Sequence, residues 1–304
     1  RTIDLVMCTH GRVVIILDDI SSLRSINNEV LGKTLHFFET PDTEISETSS
    51  FSGNFGTETQ FVGSNKTKDV QIKYYLNKRH TFGKMTMVIE DMEGNQIAEL
   101  GPGKSKGINV VNWNYTRKVP KVAKGKTFSF GGFTAPQVPA GTYKAVITKG
   151  KETFEHTFNL VYDKNSPLTE KDRELKEATT MKLYDMTQEL AYLVYELDEI
   201  MENANTAGDK KTAEKLNSLK ETLVITTGDN YVGAAEPQLR ERMADLYSKI
   251  ASSYDKPSAA ELQNLEVIAE RFNTAKSDFA KLKDKYLKKQ AVTLMTFEDF
   301  LESK

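Results

Sequence analysis

Two adjacent aspartates, Asp18 and Asp19, follow an apolar run and form the most suggestive carboxylate pair in this sequence. Paired carboxylates about 5–9.5 Å apart on either side of one bond carry out the acid and base steps of glycoside hydrolysis. Adjacent residues of a strand point to opposite faces, so these two are not expected to serve one site. We expect them instead to accept hydrogen bonds from a turn at the end of a strand.

The remaining candidates for catalysis or metal binding are weak. The four histidines, His10, His36, His80 and His156, are scattered along the chain and form no zinc-binding pattern. Neither "GPGKSKG" nor "GGFTAPQ" has the residue order of a phosphate-binding loop. The sequence therefore predicts no catalytic residue, no metal site and no cofactor within this chain, and leaves open whether the whole protein is an enzyme.

Charge and cysteine content narrow the class of protein. The 304 residues include 41 basic and 43 acidic ones and carry a net charge of −2, which argues against a nucleic-acid-binding protein. No apolar run is long enough to span a membrane. Cys8 is the single cysteine, and its place in an apolar strand predicts a small buried side chain rather than a reactive thiol.

A basic stretch, "RKVPKVAKGK", occupies residues 117–126. Such a run is typical of a solvated loop, and we expect one here. A contact for an acidic glycan, a nucleic acid or a lipid is the alternative, although no aromatic residues are interleaved with these charges.

The elements around these residues begin with a β-hairpin. Residues 3–7 and 13–17 are rich in β-forming residues, and "THGR" between them predicts the turn. Apart from Asp4, both runs are apolar rather than alternating, which is typical of strands covered on both faces. We therefore predict that the hairpin pairs with strands from outside residues 1–304, and that its interface residues are Leu5, Val6, Val14, Ile16 and Leu17.

A second region, residues 68–163, has the period-two pattern of β-strands separated by Gly-containing turns, which predicts an Ig-like β-sandwich. Trp113 and Tyr143 are expected in its core, with a sugar-stacking role as the alternative. Residues 40–67, rich in Ser, Thr and Gly, are expected to form a linker.

From residue 164 the apolar period becomes helical, and residues 164–290 predict an antiparallel four-helix bundle. Thr169-x-x-Asp172 and Ser258-x-x-Glu261 are start signals for two of its helices. Asp209 is expected to cap a third, and residues 291–304 are expected to form a short helix started by Thr296.

Three quoted stretches and the Leu-rich helices of this sequence resemble parts of one bacterial family. "DLVMCTHGRVVIILDDISSLR" is similar to the closing strands of sortilin-like or sialidase-like β-propellers of the BNR type, although the family favours glycine at the positions of Cys8 and Val13. "FVGSNKTKDVQIKYYL" and "VPAGTYKAVI" resemble the Ig-like domain, related to the flagellar hook-capping protein, that follows such propellers. The Leu-rich helices are like the C-terminal bundle of the family.

The resemblance implies an α+β multidomain chain in which residues 1–39 are the end of a propeller, whose remainder lies upstream or on a separate polypeptide. It implies a non-catalytic structural and interaction module of a secreted or cell-surface protein, outside the cytoplasm, with other polypeptides and a glycan as expected partners. The alternative is an accessory region of a glycoside hydrolase-like propeller whose catalytic residues lie upstream. The family's Asp-box repeats are absent from these residues, so the resemblance assigns no catalytic residue here.

Overall fold

The computed structural model of this chain describes residues 4–11, 14–17, 19–47, 67–226 and 236–303. These ranges contain both helices and β-sheets, which confirms the α+β class. The chain divides into two compact units, each composed of two separate stretches of sequence.

The first unit comprises Arg1–Arg117 and Val138–Ser166. Its elements in chain order are β1 (Leu5–Cys8), β2 (Val14–Leu17), α1 (Ser21–Arg24), α2 (Asn28–Gly32), β3 (Leu35–Phe37), β4 (Thr43–Ile45), β5 (Val70–Leu76), β6 (Met85–Glu90), β7 (Gln96–Leu100), β8 (Gly107–Trp113), β9 (Gly141–Lys149) and β10 (Glu152–Tyr162). β1 and β2 form a two-stranded sheet of their own. The other strands form a three-stranded sheet, β3-β5-β8, and a five-stranded sheet, β4-β10-β9-β6-β7.

The three-stranded and five-stranded sheets share one apolar core. Trp113 is 1% exposed at the end of β8, and its ring contacts Tyr143 and Phe158 at centroid distances of 5.6 and 5.8 Å. Its indole N–H donates to the carbonyl of Thr116. Trp113 and Tyr143 are therefore core residues, as predicted, and their burial rules out the sugar-stacking alternative.

The predicted segments 1–39 and 40–67 need correction, because each contains a short strand that pairs within a sheet of this unit. β3 lies within residues 1–39 and pairs with β5, so residues 1–39 are not structurally separate from the β-region that follows. β4 lies within the expected linker 40–67 and pairs in parallel with β10. Both pairings join residues far apart in sequence, which local patterns do not report. Residues 48–66 of the expected linker lie outside the described ranges.

The second unit comprises Lys118–Gln137 and Pro167–Lys304. Its helices are α3 (Glu170–Thr206), α4 (Lys210–Leu223), α5 (Leu239–Ser252), α6 (Ala259–Leu287) and α7 (Phe297–Glu302). The predicted start signals are confirmed: Thr169 and Ser258 form capping boxes with Asp172 and Glu261, and Asp209 and Thr296 cap α4 and α7. Because these side chains satisfy free N–H groups of the first turn, they determine where each helix begins.

The helices share a core that includes residues from all five of them. The 118–137 segment also packs into this unit, although it lies between β8 and β9 in sequence, and Ala123 is buried in the helical core. Residues 118–137 therefore do not belong to the β-region, which was predicted to extend without interruption over residues 68–163. Among the described residues, none of the helices is long and apolar enough to cross a bilayer.

Candidate interaction surface

The hairpin of β1 and β2 is a regular antiparallel pair. Val6 lies opposite Ile16 and Cys8 opposite Val14, while Leu5 lies opposite Leu17 and Met7 opposite Ile15. Directly opposed residues share a face and adjacent residues alternate between faces, so the hairpin has two apolar faces. One face carries Val6, Cys8, Val14 and Ile16, and the other carries Leu5, Met7, Ile15 and Leu17.

Both faces are exposed in this chain. On the first face Val6, Val14 and Ile16 are 58–60% exposed, and on the second face Leu5, Met7, Ile15 and Leu17 are 40–43% exposed. Monomeric soluble proteins seldom present apolar side chains grouped in this way, and such a group marks an interaction site. Two strands alone also leave the N–H and C=O groups of their outer edges unpaired.

All five residues predicted to form the interface, Leu5, Val6, Val14, Ile16 and Leu17, lie on this hairpin and are exposed. Met7 and Ile15 belong to the same surface and were missing from the prediction, although their place in uninterrupted apolar runs could have identified them. Cys8 is exposed, contrary to the expected burial, because none of the described residues covers its face of the hairpin.

An ion pair attaches the hairpin to the three-stranded sheet. The Asp19 carboxylate accepts a hydrogen bond of 2.6 Å from Lys73 Nζ on β5, and both side chains are about one-tenth exposed, at 11% and 10%. Asp19 Oδ1 also accepts from the backbone N–H and the hydroxyl of Ser21, as expected for a strand-end carboxylate. The backbone N–H of Asp19 donates to Asp4 at the start of β1, which closes the hairpin. Asp18 lies outside the described residues.

The electrostatics of this attachment favour the charged form of Asp19. Burial works to raise its pKa, but the hydrogen bonds from Lys73 and Ser21 outweigh burial and lower the pKa to about 2. Asp19 has a positive φ of 54°, a conformation in which aspartate and asparagine are tolerated better than most residues. The carboxylate is committed to this ion pair and is therefore not available as a general base.

A cavity of about 590 Å³ adjoins the ion pair. Asp19 and Lys73 line it together with six further acidic residues and one further lysine: Glu39, Asp42, Glu44, Glu47, Asp69, Asp163 and Lys68. An excess of carboxylates alone does not make a binding site. Over the described ranges, no three acidic, histidine or cysteine side chains are grouped so that they could hold a metal ion.

Three of the four histidines, His36, His80 and His156, have structural contacts. His156 Nε2 lies 2.9 Å from the hydroxyl of Thr40, and its ring stacks on Phe37. Burial is the main cause that lowers the pKa values of His36 and His156. His80 Nε2 lies 3.1 Å from the carbonyl oxygen of Gly83, in the turn before β6. These contacts stabilise strand ends and turns.

A third surface feature follows the basic stretch 117–126 and was missed from sequence. Three phenylalanines, Phe128, Phe130 and Phe133, form a group of exposed rings in the 118–137 segment. The spacing of phenylalanines in "TFSFGGF" is the signal that could have found it, because aromatic residues outside a periodic pattern are not needed for a sheet or helix core.

Comparison of this chain with protein family models, with curated proteins and with solved structures gave no match.

Proposed function

We propose that this chain is a non-catalytic structural and interaction module of a secreted or cell-surface propeller protein, and that it docks other polypeptides through the hairpin. The observation that carries the proposal is the exposure of apolar side chains on both faces of β1 and β2. A surface patch that binds one partner needs a single apolar face. Two apolar faces and two open edges are what a strand pair inside a larger sheet assembly presents.

In this proposal the hairpin completes a propeller blade whose other strands lie outside residues 1–304. The strands of a blade pair edge to edge and pack face to face with neighbouring blades, which covers both faces of each strand. The ion pair between Asp19 and Lys73 then fixes the end of the blade to the three-stranded sheet. The resemblance of "DLVMCTHGRVVIILDD" to closing propeller strands is consistent with this arrangement and also supports a location outside the cytoplasm.

We further propose that the two larger sheets are an Ig-like sandwich and that α3 to α6 are an antiparallel four-helix bundle. The shared core of the sheets around Trp113 supports the first assignment. The common core of the helices and the short connection between α3 and α4 support the second. In this scheme both units are supports that place the hairpin and further docking surfaces.

Hydrogen exchange of the isolated 304-residue chain tests the proposal. The amides of β1 and β2 should exchange fast, because local opening of an uncovered two-stranded sheet costs little free energy. The amides of β5 and β8 provide the internal standard for slow exchange. Slow exchange throughout residues 4–17 in a monomeric sample would contradict the proposal, because the hairpin would then find its cover within this chain.

Substitutions on the hairpin test whether its faces are the docking surface. Val6→Asn with Ile16→Asn, and Met7→Asn with Ile15→Asn, each make one face polar. Either pair should reduce self-association of the isolated chain, measured by light scattering, without lowering its melting temperature. Val110→Asn with Val161→Asn is the matched control, because both valines are exposed on strands elsewhere in the unit. Equal effects of the control and the hairpin pairs would contradict a specific docking role.

The native protein provides a third test. In material isolated from its source, residues 4–17 should exchange slowly, since the completing strands are present. The intact mass and the N-terminal sequence then show whether those strands belong to the same polypeptide or to a separate one. Fast exchange of the hairpin in the native protein would overturn the proposal whichever mass is found.

A further inference from the structure

The Phe cluster, defined as Phe128, Phe130 and Phe133, is an exposed aromatic surface on the helical unit. The three residues are 51%, 57% and 73% exposed. Phe128 stacks on Phe133 with a centroid distance of 4.9 Å and an interplanar angle of 13°, and it meets Phe130 edge to face at 5.0 Å. The rings therefore pack on one another while most of their outer surface remains open to solvent.

The backbone that carries these rings is hydrogen-bonded to α5 before and after the cluster. Before the cluster, the carbonyl and hydroxyl of Thr127 accept hydrogen bonds of 3.0 Å from the buried Arg240 guanidinium. After the cluster, the carbonyl of Thr134 accepts one of 2.8 Å from the hydroxyl of Tyr247. Between these points Gly131 is buried so close to Ala244 that an added Cβ would lie 3.0 Å from the alanine Cβ. The loop is thus held against the helix, while its three phenylalanine rings remain exposed.

Exposed basic residues precede the cluster in the same segment. Lys118, Lys124 and Lys126 are exposed, in a chain whose overall charge is −2. Val122 packs against Gly132, so the backbone that carries the lysines passes next to the backbone that carries Phe133. The amine of Lys121 is held by carbonyl oxygens of Phe300 and Ser303 at α7, which fixes this part of the exposed stretch to the helical unit.

The chemistry of this surface distinguishes between its potential ligands. Protein interfaces are enriched in Phe, Tyr, Trp and Arg but depleted in Lys, so the exposed lysines of this surface argue against a protein partner. Phenylalanines beside lysines are instead the combination found where proteins lie on anionic membranes, with the rings among the acyl chains and the amines at the headgroups.

We propose that the Phe cluster and the neighbouring lysines bind the surface of an anionic lipid bilayer. This role is independent of the hairpin and adds a second contact to the proposed interaction module. The rings enter the boundary between headgroups and acyl chains, where they lose contact with water. Lys118, Lys124 and Lys126 pair with lipid phosphates, and each lysine near an anionic surface contributes a factor of about five in affinity.

Sedimentation with vesicles tests the proposal on the full 304-residue chain. We expect binding to vesicles of equal parts phosphatidylglycerol and phosphatidylcholine, and at least ten-fold weaker binding to phosphatidylcholine alone. Binding to the anionic vesicles should weaken with added salt, because surface charges are then screened. Failure to bind the anionic vesicles at low salt would overturn the proposal.

Variants with matched controls locate the contact. The triple variant Phe128→Ser, Phe130→Ser, Phe133→Ser should reduce binding at least ten-fold, whereas Phe82→Ser, at a residue 88% exposed in the other unit, should leave it unchanged. Lys124→Glu with Lys126→Glu should weaken binding more than Lys104→Glu with Lys106→Glu, which are also exposed. Circular dichroism of each variant shows that the fold is retained.

Three results would count against the lipid surface. Unchanged vesicle binding by the triple Phe variant would overturn the proposal. Loss of vesicle binding in the hairpin variant Val6→Asn, Ile16→Asn would also overturn it. If the triple variant instead abolished self-association in sedimentation velocity while vesicle binding persisted, the cluster would be a contact between two copies of this chain.

Discussion

Lys73 and Asp19 illustrate how one residue pair can determine where an element lies. Lys73 stands in β5 at a position that alternation assigns to the face away from the core, yet it is buried. The Asp19 carboxylate compensates for that burial, and the ion pair fastens the end of the hairpin to the sheet. Breaking such a pair from one side leaves a buried charge without its partner.

Asp19→Asn should therefore destabilise the strand-containing unit at neutral pH by about 2–3 kcal/mol. The folded-state pKa of Asp19 is lowered to about 2 from an ordinary value of 3.8, so its contribution is complete above about pH 4. As the pH falls through about 2, the carboxylate becomes protonated in both states and the contribution disappears. The difference in unfolding free energy between wild type and variant, measured by urea titration at several pH values, should shrink over this interval.

Asparagine tolerates the positive φ of this position, so the variant isolates the charge from the backbone. Asp255→Asn, at an exposed aspartate of the other unit, is the control and should match the wild type throughout. A difference for Asp19→Asn that stays constant from pH 6 to pH 2 would show that the ion pair is not its cause.

Helix α3 carries the apolar stripe around which the helical core is arranged. Leu183, Leu190, Leu193 and Leu197 follow one another at intervals of three, four or seven residues, and each is at most 4% exposed. The stripe therefore faces the other helices over several turns, as its period requires. Leu175 belongs to the same periodic pattern but is 38% exposed near the beginning of the helix.

Leu193→Asp should unfold the helical unit or destabilise it by more than about 4 kcal/mol, because an unpaired carboxylate would be buried in the core. Leu175→Asp is the matched control on the same helix and should change the unfolding free energy by less than about 1 kcal/mol. Far-UV circular dichroism during guanidinium unfolding distinguishes the two. Similar midpoints for both variants would contradict the placement of Leu193 in the core.

The helix starts and the core residues could be predicted from sequence because they depend on local interactions. The capping boxes at Thr169 and Ser258 join residues three apart, and the burial of Trp113 and Leu193 follows from short-range periodicity, so sequence patterns report them. The burial of Lys73 depends on Asp19, 54 positions earlier. The placement of the 118–137 segment depends on Arg240, 113 positions after Thr127. The hairpin was predicted correctly as an element. The burial of Cys8 was not, because it depends on whether other residues cover that face of the hairpin.

At the scale of the whole molecule, neither unit is a continuous length of chain. The helical unit takes the 118–137 segment from between two strands of the other unit. Arg240, 6% exposed, depends on Thr127 of that segment for hydrogen bonds, and Ala123 fills part of the helical core. A buried guanidinium that loses such partners destabilises the fold.

A fragment of residues 164–304 should therefore unfold at a lower guanidinium concentration than the helical unit of the full chain. The same fragment with residues 118–137 joined to its N-terminus by a Gly/Ser linker should recover most of the loss. Circular dichroism at 222 nm measures both transitions. If the two fragments unfolded at the same midpoint, the 118–137 segment would contribute nothing to the stability of the helices.

The split helical unit also has a consequence for synthesis on the ribosome. Thr127 is made 113 residues before Arg240, and at roughly 5–20 residues per second this interval lasts roughly 6–23 s. Throughout that time the nascent 118–137 segment, with its three phenylalanines, lacks α5, the helix to which Thr127 and Thr134 are hydrogen-bonded. The growing chain must therefore keep an aromatic, basic segment accessible until α5 is made, and a chaperone that recognises such segments would find its binding site there.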